Sequence, residues 1–400
     1  MVRWKHTGQG ELRRVPRGAI QPGSRDLPVH PVWRFALEKA RLHRGKISHG
    51  PSGIHPQTTG SSYALKIPTA RFCLRRNLLS QGERTEIAMS VAFLFPGQGS
   101  QVPGMLHALP DHPSIARTLD ETSEALGENV LELDSPAALR STVSVQLALL
   151  ASGVAVARAL VAEGVVPEAV AGMSAGAFAA AVVSGVLNLA DGVRLMKQRA
   201  ERMEELYPKG YGLAAIVGLT EKRLSALVEE AYTAQNPVYV ANINAPRQIV
   251  IAGSHEGMDK VLEAARKSGA RKAVRLDVSE PSHCPLLQPV ADTLTKSLQA
   301  LHLHEPKLIY VGNVTGRALR TQEAISEDLA TNIAHGVRWY DATTVLTELR
   351  CRLFLEMPPG HVLSELARET FPDVRTLAVG ETSFTHALLE GAKGKLQQPT

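Results

Sequence analysis

The sequence predicts an α/β fold with a mostly parallel sheet, and three observations carry that expectation. From Ser90 onward, short β-rich runs alternate with helical stretches, the pattern of strands joined by crossover helices. At 169–182 the stretch AVAGMSAGAFAAAV passes from an apolar run through a glycine-bracketed turn into an Ala-rich helical run. From about 212 to 276 the order of runs becomes βαββαβ, the signature of a ferredoxin-like unit.

Taken in order, residues 1–88 lack apolar periodicity and are broken by Pro, Gly and Ser, as in VPRGAIQPGSRDLPVHP. They are expected to be disordered. They hold 16 Lys+Arg against 5 Asp+Glu, and the rest of the chain holds 28 against 34, so the net charge of +5 arises in this stretch. A basic tail for nucleic acid or membrane, an Arg-rich organellar transit segment and an upstream reading-frame extension that is not native all fit. The last is favoured, because Met89 stands two residues before the switch to the strand-like run VAFLF. Strands are expected at 91–96, 168–172, 307–313 and 352–357, and helices at 142–164, 176–186, 190–206 and 285–301. Within 212–276, GLAAIVG, the pair VYVANIN and RQIVIAG, and RKAVRLDV read as strands. LTEKRLSALVEEAY and HEGMDKVLEAARKSG read as the intervening helices. A unit inserted there is expected to form a lid over a cleft.

A length of 400 residues, 44% of them apolar and 21% charged, allows a large core over two or more domains. Aromatic residues, at 4%, are too few for a base-stacking nucleic-acid surface. The nearest approach to a membrane span, residues 145–166, carries Gln146, Arg158 and Glu163 and reads as a buried core helix. Cys73, Cys284 and Cys351 are widely spaced and odd in number. They give no disulfide framework or zinc pattern, and they fit a reducing, cytoplasmic compartment.

Five features carry chemistry. In the turn around Ser174 the glycines remove Cβ atoms from a strained bend, leaving the hydroxyl exposed at a strand tip beside the next N–H, that of Ala175. Ser174 is thus a candidate nucleophile, although the pentapeptide equally fits a helix start with Ser174 as N-cap. FPGQGSQ at 95–101 follows the first strand, and its glycines let backbone N–H groups face a ligand beside Gln98 and Gln101. His283, one of fourteen histidines, sits in EPSHCPLLQP where the inserted unit returns to the core, which places it at the cleft. KQRAERMEEL at 197–206 contains Arg199 and Arg202, for which a solvated helix face is the default. A strand ending in Pro-Pro-Gly closes FLEMPPGHVLSEL at 354–366.

FPGQGSQ, GxSxG, the QRA helix, ANINAPRQIVIAG, PSHCPLL, GVRW and ExxPG occur here in one order. From 89 to about 390 the chain resembles the malonyl-CoA:acyl-carrier-protein transacylases. The 25 residues from Ser174 to Arg199 and the 109 to His283 are as that family has them. It departs from the usual GHSxGE by having Met173 and Ala177. With PSHCPLL and NIAHGVRWYDA, that form is more similar to the epsilon subunit of malonate decarboxylase. The resemblance implies an α/β-hydrolase-like core over 89–211 and 277–392, with a ferredoxin-like small domain at 212–276. It implies Ser174 as nucleophile and His283 as base and then acid. The histidine would be oriented by the backbone carbonyl of Asn332 rather than by an acid such as Asp277. The N–H groups of Gln98 and Ala175 would form an oxyanion hole, and Arg199 would hold a malonyl carboxylate. Gln146, Asn242 and Asn244 are further substrate-binding candidates. The implied reaction is ping-pong: malonyl-CoA acylates the serine, and a phosphopantetheine-type thiol of an acyl carrier protein, or of the malonate decarboxylase carrier subunit, collects the malonyl group. No metal, redox cofactor, nucleic acid or membrane is implied. A housekeeping transacylase of fatty-acid synthesis is the alternative. A serine esterase or thioesterase would share GxSxG without needing Arg199 or the inserted unit.

Overall fold

A computed structural model describes residues 90–393 apart from 208 and 279, so the expectations for residues 1–88 and for Met89 lie outside the described residues. The central strand, β1 (Ser90–Phe95), turns Phe93 and Phe95 to one face and Ala92 and Leu94 to the other, and all four are buried. Apolar residues on both faces are what a strand inside a helix-covered parallel sheet requires. It pairs in parallel with β2 (Ala169–Gly172) on one side and β9 (Cys351–Glu356) on the other. β7 (Ile309–Val311) and β10 (Arg375–Ala378) extend the sheet in parallel, and the two-residue β8 (Ala318–Leu319) runs antiparallel at one edge.

Helices α1 (Pro113–Leu126), α2 (Thr142–Ala162), α3 (Gly176–Ser184), α4 (Leu189–Leu206), α7 (Gln288–Gln299) and α8 (Gln322–Thr331) share the core on the Phe93 face. The Leu94 face is covered by α9 (Trp339–Glu348) and α10 (Val362–Thr370). The chain ends its described course in α11 (Phe384–Lys393). By length and composition α2 could cross a bilayer, but 83% of its most apolar window lies inside the protein. It is the core helix that its interrupting polar residues predict.

A second sheet, of four antiparallel strands in the order β4-β5-β3-β6, is formed by β3 (Tyr211–Val217), β4 (Val238–Ala245), β5 (Gln248–Ser254) and β6 (Lys272–Arg275). Between them run α5 (Glu221–Ala231) and α6 (His255–Lys267). Ile216, Ile249 and Ile251 pack with Leu224 and Val261 of these helices. Leu213 and Val250 instead line a cleft facing the first sheet. The sheet is tied to the rest of the chain through β4: Val337 N–H donates to Ala241 O and Ile243 N–H to Val337 O, both at 2.8 Å.

Each expected strand and helix is present, with ends that differ for identifiable reasons. The 307–313 run is a strand only at 309–311, because Asn313 turns to meet Asp328 and Ser174. The 285–301 helix begins as a 3-10 turn at Pro285–Leu287 and stops at Gln299, so His302 and His304 lie beyond its end.

Candidate active site

The cleft opens at the carboxyl ends of β1 and β2, the usual place for a ligand in an open α/β sheet. Because β1 and β2 are neighbours, with Phe95 opposite Gly172, the loops that follow them bring Gln98 and Ser174 together. Ser174 has φ 56° and His283 φ 63°; with Arg350 they are the non-glycine residues in the left-handed region among those described. Strain of this kind persists only where the surroundings fix it. For Ser174 those surroundings are specific. A Cβ on Gly172 would lie 2.0 Å from Gly176 O, and one on Gly176 would lie 2.2 Å from Phe95 O. The two glycines therefore allow the turn to fold flat against β1. The Ser174 N–H donates to Asn313 Oδ1 at 2.9 Å, and Asn313 Nδ2 donates to Gly172 O at 2.9 Å. Ser174 is half-buried rather than exposed, and no side-chain cap bond is made at the start of α3, so the N-cap alternative is not realised.

His283 is held at both ends of its ring. Its Nε2 lies 2.7 Å from Ser174 Oγ and its Nδ1 lies 2.6 Å from Asn332 O. Its own N–H donates to Ile333 O at 2.7 Å, so one segment fixes both ring and backbone. A carbonyl only accepts, which puts the ring proton on Nδ1 and leaves Nε2 to accept from the serine hydroxyl. Asp277 is exposed and makes no bond to the ring. The Asn332 side chain is buried with both polar atoms unpartnered, so its carbonyl is the orienting group. Burial, and then the positive charge of Arg199, push the His283 pKa down to about 4.

Arg199 departs from the solvated face expected of its helix. Arg202 is exposed and paired with Glu205 at 2.8 Å, whereas Arg199 is 1% exposed. Its Nη1 donates to Gln146 Oε1 at 2.6 Å, its Nη2 donates to Ser174 Oγ at 3.2 Å, and its Nε has no partner. No carboxylate pairs with it among the described residues, and burial lowers its pKa to about 9. Nε and Nη2 share one edge of the guanidinium plane, so the group presents a fork to an incoming carboxylate.

Gln98, Gln146 and Asn242 line the cleft. Asn244 does not line it, and it is buried two residues further along β4 with both side-chain polar atoms unpartnered. The backbone N–H groups of Gln98 and Ala175 donate to no other protein group among the described residues, which leaves both available. Gln101 braces the first loop by accepting from Gly99 N–H at 2.7 Å. Sequence reasoning missed Asn313 and its support, Asp328, whose Oδ1 accepts from the N–H groups of Asn313 and Val314 at 2.8 and 2.9 Å. The one local signal was an Asn directly after a strand and Gly312.

The arrangement resolves into a hydroxyl with its base, two free N–H groups, and an unpaired guanidinium within hydrogen-bond reach of the hydroxyl. The family described as acyl transferase domain matches residues 92–383. The malonyl CoA-acyl carrier protein transacylase of Escherichia coli strain K12 is 36% identical over 305 residues, which are 75% of this chain and 98% of that protein. The Bacillus subtilis protein of the same name is 33% identical over 308 residues, 76% of this chain and 97% of its own. Among solved structures, the Coxiella burnetii malonyl CoA-acyl carrier protein transacylase superposes with a TM-score of 0.73 at 33% identity, covering 78% of this chain and 99% of that one. A malonyl-transacylase solved in complex with its type II PKS acyl-carrier protein gives 0.72 at 34% identity, covering 75% and 99%. The chain belongs to the acyl transferase domain family, which it shares with the malonyl CoA-acyl carrier protein transacylases.

Proposed function

We infer that the protein transfers malonyl from malonyl-CoA to the phosphopantetheine-type thiol of an acyl carrier protein through a malonyl-Ser174 intermediate. The observation that carries this reading is the fork of Arg199, a buried cation with no counter-ion among the described residues, placed 3.2 Å from the serine oxygen. In acylation Ser174 Oγ attacks the thioester carbon while its proton passes to His283 Nε2. The imidazolium that forms keeps its Nδ1–H on Asn332 O. The tetrahedral oxyanion is met by Gln98 N–H and Ala175 N–H, each worth about 2.7–4 kcal/mol in such a role. As the C–S bond breaks, His283 returns the proton to the CoA sulfur. The carrier thiol then repeats the sequence in reverse, giving its proton to His283 and leaving with the malonyl group. Asn242 and Gln146 bound the acyl pocket, and Asn244 stays a weaker candidate behind it.

In this reading residues 89–211 and 277–392 form an α/β-hydrolase-like core, supported by the parallel sheet and the strained serine turn. Residues 212–276 form a ferredoxin-like small domain, supported by the order β4-β5-β3-β6. The two buried free thiols, Cys284 and Cys351, support a reducing, cytoplasmic setting. A second reading keeps the chemistry and changes the carrier to the small subunit of malonate decarboxylase. Met173 in the turn and Ala177 in α3, where the transacylase family usually has His and Glu, support it over a housekeeping enzyme. An esterase is disfavoured, because a neutral ester offers the Arg199 fork no charge.

The test is incubation with malonyl-CoA followed by intact mass. A malonyl adduct is expected that survives in buffer, discharges onto a holo-carrier thiol and is absent from Ser174→Ala. Loss of the adduct to water without any carrier would refute transfer in favour of hydrolysis.

A further inference from the structure

Beyond the cleft lies a buried carboxylate that this chemistry does not use. Glu280 is three residues before His283 and 5% exposed. Thr142 Oγ1, at the start of α2, donates to Glu280 Oε1 at 2.9 Å. The same hydroxyl accepts from Gln98 Nε2 at 3.3 Å, Gln98 Oε1 accepts from Gln146 Nε2 at 3.3 Å, and Gln146 Oε1 accepts from Arg199 Nη1 at 2.6 Å. Four hydrogen bonds thus run in one direction from a guanidinium to a carboxylate.

The guanidinium end fixes that direction. A guanidinium can only donate, so Gln146 accepts through Oε1 and donates through Nε2, and Gln98 and the Thr142 hydroxyl then take the one orientation that satisfies all four bonds. We propose that Glu280 is a positioning residue for the acyl transfer: through Thr142 it locks the Gln98 side chain, and so holds the Gln98 N–H where the oxyanion forms. This rests on the malonyl-transfer reading above. Gln98 sits in a turn between two glycines, Gly97 and Gly99, and that backbone has little stiffness of its own. Its side-chain bonds to Thr142 and Gln146 tie it to α2. The Glu280 end holds α2 from the segment that also carries His283, so the oxyanion donor and the base share one frame. Arg199 keeps its bond to Gln146 and its contact with Met203 Sδ at 3.4 Å whatever happens at the Glu280 end. The effect therefore falls on the oxyanion donor and not on the carboxylate fork.

The experiment measures single-turnover acylation by malonyl-CoA and by acetyl-CoA, with rates expressed per active site from the burst amplitude. Glu280→Leu and Thr142→Val are each expected to lower kcat about tenfold, the rate equivalent of one hydrogen bond to a charged group. The malonyl-to-acetyl ratio and the KM for malonyl-CoA should stay within about twofold. Glu280→Gln, which still accepts from Thr142, should recover most of the loss. The double variant should be no slower than the slower single one, because both break the same chain. Rates per active site within about twofold of wild type in both single variants would overturn the proposal, as would losses that multiply in the double variant. A drop in burst amplitude alone, with kcat per site unchanged, would also overturn it by showing a purely structural role. A wild-type protein that forms no malonyl adduct overturns the transfer reading, and the relay with it.

Discussion

On the malonyl-transfer reading, replacing Arg199 by Ala should separate malonyl from acetyl transfer, because the two acyl groups differ by the carboxylate that the guanidinium would receive. The group is 1% exposed, its Nε is unpartnered, and its Nη2 rests on the serine oxygen at 3.2 Å. A carboxylate entering this site loses its water, and without a cation its burial would be prohibitive. Truncating one member of a buried, hydrogen-bonded charge pair costs about 2–5 kcal/mol. At about 1.36 kcal/mol per factor of ten, malonyl acylation should slow by roughly 1.5 to 3.5 powers of ten. Acetyl acylation has no such pair to lose and should hold steady or rise. Lys supplies charge without a planar fork, so Arg199→Lys should recover only part of the loss. The assay is the ratio of single-turnover rates on malonyl-CoA and acetyl-CoA, read as acyl-enzyme by mass. Equal falls on both substrates would make Arg199 a structural residue. A preserved malonyl preference would mean that another cation holds the carboxylate.

His283→Ala should slow acylation and discharge alike, since in the proposed mechanism the same ring serves both; a loss confined to discharge in rapid-quench measurements would require a different base for acylation. The acid limb of kcat/KM for malonyl-CoA should fall well below the ordinary histidine range, towards about 4, and Arg199→Ala should move it to higher pH by removing the second cause of the depression. Stability carries the same sign: the unfolded ring takes its proton near 6.5 and the folded one only near 4, so thermal stability should decline as pH falls across that interval. Gly176→Ala should abolish soluble folded protein or cut it steeply, because the added Cβ would sit 2.2 Å from Phe95 O. Glu356, whose pKa burial raises to about 7, accepts from Leu363 N–H at 3.0 Å and Ser364 N–H at 2.7 Å at the start of α10. Glu356→Gln faces one of those donors with an amide NH2 and should cost about 1–3 kcal/mol in denaturant titrations; an unchanged midpoint would show that the staple carries no stability.

What the sequence made legible was whatever a local backbone demands. The glycines around Ser174 and the prolines around His283 mark turns that few other residues could make, and their neighbours in space follow from strand order. Arg199 shows the boundary. Its i, i+3 partner Arg202 is solvated and paired, and nothing in KQRAERMEEL distinguishes the two without knowing which face of α4 meets α2. The Asn332 carbonyl carries no side-chain signature at all; only the resemblance, through its place five residues before the Val of GVRW, implies it, and its side-chain amide is unpartnered. Asn313 and Glu280 act across 139 and 138 residues of chain, on Ser174 and on Thr142. A bond between such distant positions is set by packing, so no window of sequence contains it. The 307–313 run leaves the sheet early for a related reason: Tyr310 and Asn313 both bond Asp328, which turns the chain out of the sheet after Val311.

Arg199 and His283 oppose each other in the cleft, and that opposition bears on how one site would select its substrate. Burial is the larger cause of the depressed His283 pKa, and the guanidinium charge is the next. While Arg199 is unneutralised, a proton arriving on His283 from Ser174 creates a second buried positive charge beside the first, so the serine is poorly activated. The guanidinium also bonds the serine oxygen itself, holding the lone pair that would have to attack. A carboxylate seated on Nε and Nη2 removes both restraints together. It draws Nη2 from Ser174, and it cancels the charge that made the imidazolium costly. An acetyl group cancels nothing, and neither does a neutral ester. On the malonyl-transfer reading, the ion pair that would bind malonyl is also the event that would ready the nucleophile. Discrimination by Arg199 would then belong to the rate of the chemical step as much as to binding, since part of the pairing energy would go into a base that works only once the pair has formed.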